Sequence, residues 1–459
     1  MKQSSSIPIR FLLAIAGLGG LLYGVDFGVI AAAEPYMKAT GAYTDSQISH
    51  VVGAVLLGGL VSSITAGWLC DFFGRKRMIV ASAAMFLVAI PIVSLSLGSY
   101  PALYAGRVLQ GMSAGYMAVV MPMYLTETLP PEIRGRGTGV FQFCLGLGLV
   151  VAAGAGCLVA TVFGASDTAD AAGRVAAWGA NFWWTMVPVA VLFFGSLRLP
   201  ESPVWQKKRV KWLGGWAARP ATLPPHHQTT QLPNYQTLLS RRYVVPFLLA
   251  CLVLTFNKTT GMSSFTSYLV TILHSAGFEG ILANWGQLAV KLTNMLVTIA
   301  AAALVDRKGR TWLLKVGTGG MTLGLAAIGC VFLAIERFGV QANNFTGLLA
   351  MLAFFFMQVF YALGPGLCVW LVLSELMPKR IRANGMAIAL FMNQLVAWGL
   401  ASWFRPWVAA WGWSSMFFFF AANGVLYFIT VCFIPETKGK SLEELEHLFE
   451  AKTQSCKSC

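Results

Sequence analysis

One carboxylate, Asp26, stands in the middle of the apolar run GGLLYGVDFGVI that begins at Gly19. An ionised group in such a place is costly and marks a functional position by default. Burial raises the pKa of a carboxyl group and a nearby cation lowers it. A carboxyl whose surroundings change as helices rock can therefore load and release a proton. Three cations, Arg107, Lys258 and Lys291, also fall inside apolar runs. Ammonium groups so placed either face a cavity and bind a negative group, or snorkel along their methylene stems to an interface. Lys258 lies well inside its run, which favours the cavity; Lys291 leaves both readings open.

The remaining charges of interest border the apolar runs, and they repeat. DFFGRKR, from Asp71 to Arg77, is echoed by DRKGR, from Asp306 to Arg310, 235 positions later. PESP at Pro200 and PET at Pro435 are separated by the same 235 positions. Glu127 precedes Arg134 by seven residues, and Glu375 precedes Arg382 by seven. Recurrence in one order points to a duplicated membrane protein made of two similar halves. The pairs Asp71 and Arg75, Glu127 and Arg134, Asp306 and Arg310, and Glu375 and Arg382 set opposite charges at the inner ends of spans. Pairing across helices would tie the halves together while the outer side is open, and would break when the inner side opens. One exposed pair is worth only about 0–1 kcal/mol, so several are needed to bias two states.

Positioning these groups requires long apolar helices, and the composition provides them. Of 459 residues, 57% are hydrophobic and 11% charged, against about a quarter charged in soluble chains; mean hydropathy is +0.67. Runs long enough to cross a bilayer, roughly 20 residues, lie near 11–36, 48–70, 78–98, 101–126, 138–163, 178–199, 244–273, 283–305, 312–335, 346–373, 384–404 and 411–434. The expected fold is thus all-α, twelve transmembrane helices in two pseudo-symmetric six-helix bundles. The expected division is 1–199 for the first bundle, 200–243 for a Pro-rich cytoplasmic linker, 244–440 for the second bundle and 441–459 for a tail. In that tail, SLEELEHLFEA reads as a surface helix capped by Ser441 with Glu444 three residues on.

The net charge of +15 is an orientation signal. With the N-terminus inside, Lys38, Arg174, Arg337 and Arg405 fall outside and three cations fall within spans, which leaves 26 of the 33 Lys and Arg on the cytoplasmic side. That distribution obeys the positive-inside rule, so both termini are expected in the cytoplasm and no nucleic-acid partner is implied. Nine cysteines are scattered, and Cys456 and Cys459 form a lone CxxC that reads as disordered tail rather than as a metal or redox site. His226 and His227 read as solvated loop residues. The sequence has no P-loop, no dinucleotide fingerprint and no metal-spaced histidine cluster. An enzyme, a cofactor and a bound metal are therefore not expected.

The motifs also carry a family resemblance. GGLLYGVDFGVI, DFFGRKR, GRVLQGMSAG at Gly106, PMYLTETLPPEIRGRGTG at Pro122, PESPVW, DRKGR, GPGLCVW at Gly364, SELMPKRIRANG at Ser374 and PETKGKSLEEL follow one another along nearly the whole chain. In that order the chain resembles the major facilitator superfamily and, within it, the sugar porter family. The resemblance implies two six-helix bundles around a central cavity open alternately to each side. It also implies that Asp26 is similar to the aspartate of proton-coupled members, with Arg107 its partner. In that family the seventh span usually carries two glutamines, a glycine, an asparagine and a tyrosine pair. Here Asn257, Lys258, Gly261, Ser263, Ser267 and Tyr268 occupy the frame, so the main sugar-binding side chains are replaced. The second glycine of the fourth-span motif has become Ser113. Gln142, Asn294, Trp370 and Asn393 hold, and they supply amides and an aromatic face suited to a polyhydroxylated ring.

The expected function is alternating-access symport of a monosaccharide or sugar derivative with a proton across the inner (plasma) membrane, by a monomer embedded in the bilayer. Lys258 turns the expectation toward a sugar acid, though an ammonium also hydrogen-bonds neutral hydroxyls. An uncoupled facilitator of a sugar, polyol or small organic anion is the alternative. A transporter-like nutrient receptor is a third reading, disfavoured by the short tails.

Overall fold

In the computed structural model, residues 8–96, 98–130, 133–207, 209, 241–377 and 382–436 are described, with side chains other than those of 134–136, 138, 241–243, 306, 374, 382–384 and 387. Most of the 200–243 linker, the 441–451 helix and the CxxC tail lie outside the described residues, as do the side chains of Arg134, Asp306 and Arg382.

Every regular element among the described residues is helical. The first bundle comprises α1 (Ile9–Ala39), α2 (Asp45–Phe73), α3 (Arg75–Leu95), α4 (Tyr100–Thr128), α5 (Arg134–Phe163), α6 (Ala171–Trp183) and α7 (Met186–Leu197). The second comprises α8 (Arg241–Thr259), α9 (Met262–Ser275), α10 (Leu282–Lys308), α11 (Arg310–Phe338), α12 (Asn344–Leu363), α13 (Pro365–Leu376) and α14 (Arg382–Cys432). Eleven helical segments are long and apolar enough to cross a membrane. α6 and α7 make one span, as do α8 with α9 and α12 with α13. The 51 residues of α14 would run about 76 Å if straight, far beyond a bilayer. Non-helical Gly412 (φ 79°, ψ 166°) divides it, and so the chain makes twelve passages.

Local chemistry sets the boundaries. Thr44 and Gln47 form a capping box at the start of α2, Asn343 and Thr346 do so at α12, and Asp170 caps α6 through the Gly173 N–H at 2.7 Å. Each cap satisfies amides that the first helical turn leaves without partners. Left-handed Gly261 (φ 81°) separates α8 from α9. Gly364 followed by Pro365 separates α12 from α13, since the proline ring cannot donate and disfavours helix at the residue before it.

Apolar side chains that stay exposed ring the outside, among them Trp68, Val88, Leu158, Val187, Phe194, Leu296, Leu323 and Phe433. A soluble chain buries such residues; a bilayer solvates them. The two bundles meet where α1 faces α9, α2 faces the first arm of α14, and α5 faces α10.

The duplicated motifs converge at one end of the molecule. Gly74 (φ 98°, ψ 160°) links α2 to α3, and Gly309 (φ 93°, ψ 159°) links α10 to α11; side chains are all but excluded from that conformation. The Glu201 carboxylate of PESP accepts from the Arg75 and Lys76 amides at 2.9 and 3.0 Å. The Glu436 carboxylate of PET accepts from the Arg310 and Thr311 amides at 3.0 and 3.2 Å. Each repeated acid is therefore the N-terminal cap of a helix about 126 residues earlier in the chain.

Candidate functional site

Asp26 lies midway along α1, 1% exposed. Arg107 on α4, also 1% exposed, approaches its Oδ1 with Nη1 at 3.5 Å. The same Nη1 donates to Gln110 Oε1 at 2.8 Å, and the guanidinium lies over the Phe182 ring at 5.8 Å. Asp26 Oδ2 and Arg107 Nε have no hydrogen-bond partner. The pair is thus close but loosely engaged. Arg107 also lines a void between the bundles, with Phe27, Ile30, Val52, Val55 and Leu56 on one side and Ser263 and Ser267 on the other.

Lys258 closes α8 and reaches across the Gly261 break to Ser263 Oγ at 3.3 Å. Ser263 thus joins the Lys258 ammonium to the void that Arg107 lines. Asn257 is buried, with Nδ2 3.5 Å from the Pro365 carbonyl. Asn294 on α10 accepts from Gln358 Nε2 on α12 at 2.7 Å. Asn393 is 1% exposed with Oδ1 unpartnered. Gln142 and Trp370 are exposed. Tyr268, the remaining half of the aromatic pair expected in this span, stacks on Phe404 and turns its hydroxyl to Ser49, away from Ser263.

At the motif end the expected Asp71–Arg75 pair forms, and Arg75 gathers further partners. Arg75, 3% exposed on its side chain, contacts Asp71 at 3.0 Å, Glu127 at 3.0 Å and the Cys70 carbonyl at 3.1 Å. Ser202 of PESP donates to Oε2 of the same Glu127 carboxylate. Arg310 pairs with Glu375 at 3.3 Å. Each of these bonds joins elements of one bundle. The cause is local: the Gly74 and Gly309 turns set Arg75 and Arg310 at the first position of a helix, against the end of a neighbour in the same half. The partners proposed for Glu127 and Glu375, namely Arg134 and Arg382, have side chains outside the described residues, as does Asp306.

Bonds between bundles gather at the opposite end, and sequence reasoning missed their centre. Arg405, taken as a charge in an external loop, lies within α14 and is 6% exposed. Its guanidinium bonds Glu34 of α1 and Asp45 of α2, the latter at 2.7 Å, and its amide donates to Ser49 at 3.0 Å. Glu34, 0% exposed, also accepts from Thr271 on α9. Arg405 lies over the Tyr268 ring at 5.8 Å. Glu34 was a detectable signal, a second acid one turn from the end of an apolar run. Four elements from both halves thus close over a buried ion pair.

Comparison with known proteins accords with this architecture. A family model described as "Sugar (and other) transporter" matches residues 12–449. The arabinose-proton symporter of Bacillus subtilis is 27% identical over 98% of this chain and 97% of its own length. The galactose-proton symporter of Escherichia coli K12 is 28% identical over 97% and 95%. Among solved structures, the inward-open xylose transporter of Escherichia coli superposes with a TM-score of 0.77 over 96% of this chain and 100% of that one, at 24% identity.

Proposed function

The chain belongs to the sugar (and other) transporter family of the major facilitator superfamily, and from that premise we propose that it couples entry of a monosaccharide or sugar derivative to entry of a proton. The observation that carries the reading is the Asp26–Arg107 pair at the wall of the void between bundles. A carboxylate beside the cation that lines the void attracts that cation toward α1. Protonation of Asp26 removes the attraction and leaves Arg107 to its remaining bond with Gln110, so the wall of the void changes with the proton. Ser263 and Ser267 on the facing bundle then meet a different partner. Asn257, Asn294, Asn393, Gln142 and Trp370 supply the amides and the aromatic face for a hydroxylated ring.

The basic end, with Gly74 and Gly309, is assigned to the cytoplasm of the plasma membrane, together with both termini. On that assignment the Arg405 cluster seals the outer side, and the structure is a state closed to the outside. The arabinose- and galactose-proton symporters, similar over nearly the whole chain, support the same reading. Asp26→Asn tests it. In energised vesicles the variant should lose accumulation of cargo against a gradient and the accompanying external alkalinisation, while counterflow persists. Undiminished uphill accumulation would refute coupling through Asp26 and leave an uncoupled facilitator.

A further inference from the structure

α10 carries a polar stripe that the fold does not use. Gln287, Lys291 and Asn294 recur at helical spacing, on the side away from the exposed Trp285, Leu292, Leu296 and Ile299. Leu288 and Met295 on the same helix pack near Gly154 and Gly146 of α5, which sets the stripe beside the contact between bundles. Gln287 is 0% exposed, and both atoms of its amide lack a partner. Lys291 is 4% exposed and has neither an ion pair nor a hydrogen bond among the described residues. Asn294 alone is satisfied, by Gln358.

Burying an amide without partners, or an ammonium without a counter-charge, is unfavourable unless something completes the site. A buried ammonium and a buried amide one turn apart on α10, neither with a partner among the described residues, are complementary to an anion that arrives and leaves. We infer that Lys291 and Gln287, one turn apart on α10, form a subsite for an anionic oxygen group on the cargo, and that the cargo is a sugar acid, its carboxylate held here and its hydroxyls by the neighbouring amides. This rests on the sugar-transport reading above and narrows it.

Equilibrium binding to the purified full-length protein tests the inference, with glucuronate, gluconate, glucose, xylose and glucose 6-phosphate as ligands. The sugar acids should bind at least about tenfold more tightly than the matching aldose. Lys291→Gln should weaken the acids by about thirtyfold or more, the usual result of removing one partner of a buried charge pair, and the aldoses by no more than a few-fold. The wild-type comparison decides even where the variant fails to fold. Aldoses binding as tightly as the acids, or a variant that leaves the ratio of acid to aldose unchanged, overturn the subsite while sugar transport stands. Tighter binding of glucose 6-phosphate than of either acid overturns the choice of carboxylate. Absence of binding by every ligand overturns the sugar reading and the subsite together.

Discussion

Arg405→Met should open the end of the molecule that its cluster closes. The guanidinium is 6% exposed and faces a glutamate that is fully buried, so the substitution leaves Glu34 without its counter-charge in a closed cluster. Breaking a buried pair by removing one partner costs roughly 3–5 kcal/mol. The bond to Asp45, whose side chain is 48% exposed, adds little because water screens it. Once the end opens, water solvates Glu34, so nearly the whole penalty falls on the closed state. At 1.4 kcal/mol per factor of ten, the ratio of open to closed should rise by about two orders of magnitude or more. The assay is the electron–electron distance between spin labels at Ala42→Cys and Gln341→Cys, on exposed turns of the two bundles at that end, with the native cysteines replaced. A longer distance should appear in Arg405→Met. It should recede in the double variant Glu34→Met with Arg405→Met, because a buried ion pair exchanged for apolar side chains is often neutral or stabilising. An unchanged distance in the single variant would show that the cluster does not hold the end shut. Failure of the double variant to close again would show that shape, not charge, was lost.

Four smaller perturbations follow from the caps, the turns and the Arg75 pair. Glu201→Ala should speed amide hydrogen exchange at Arg75 and Lys76 and cost about 0.5–2 kcal/mol, with Arg310 and Thr311 unaffected as internal controls; Glu436→Ala should show the reverse pattern. Glu127→Gln should lower the midpoint of thermal unfolding, since buried Arg75 loses a charged partner; an unchanged midpoint would mean Asp71 suffices. Gly309→Ala should destabilise by about 1–3 kcal/mol, because φ is 93° there and an added methyl would meet the Glu436 carboxylate; wild-type stability would contradict the backbone assignment.

The twelve passages were readable from the sequence because lipid-facing and core-facing positions are both apolar, so each span stands out as a run. The two halves were readable because charged motifs survive duplication at equal spacing. What the spacing could not give is who pairs with whom. Glu201 and Arg75 are 126 residues apart, and nothing in PESP identifies it as the cap of α3. Arg405 looked like a loop charge because the run before it appeared to end at 404; the helix continues past it to Gly412. The Gly74 turn delivers Arg75 to Glu127, a partner that the seven-residue spacing of Glu127 and Arg134 does not indicate. Among the polar groups of the second bundle, Lys258 and Lys291 were visible as charges. Gln287 was passed over, although a glutamine four residues before a buried lysine carries the same message.

The carboxylate caps also bear on how the chain is made. α3 begins at residue 75, yet the acid that satisfies its first amides is residue 201, the last part of the first half to leave the ribosome. α11 likewise begins at residue 310 and waits for residue 436. During synthesis each turn after the second helix of a half stays open to water until the sixth helix is in the membrane. Each half is therefore sealed by its own final residues, independently of the other. A nascent chain halted between residues 75 and 201 would carry an uncapped turn, the form in which a quality-control protease could tell an unfinished bundle from a finished one.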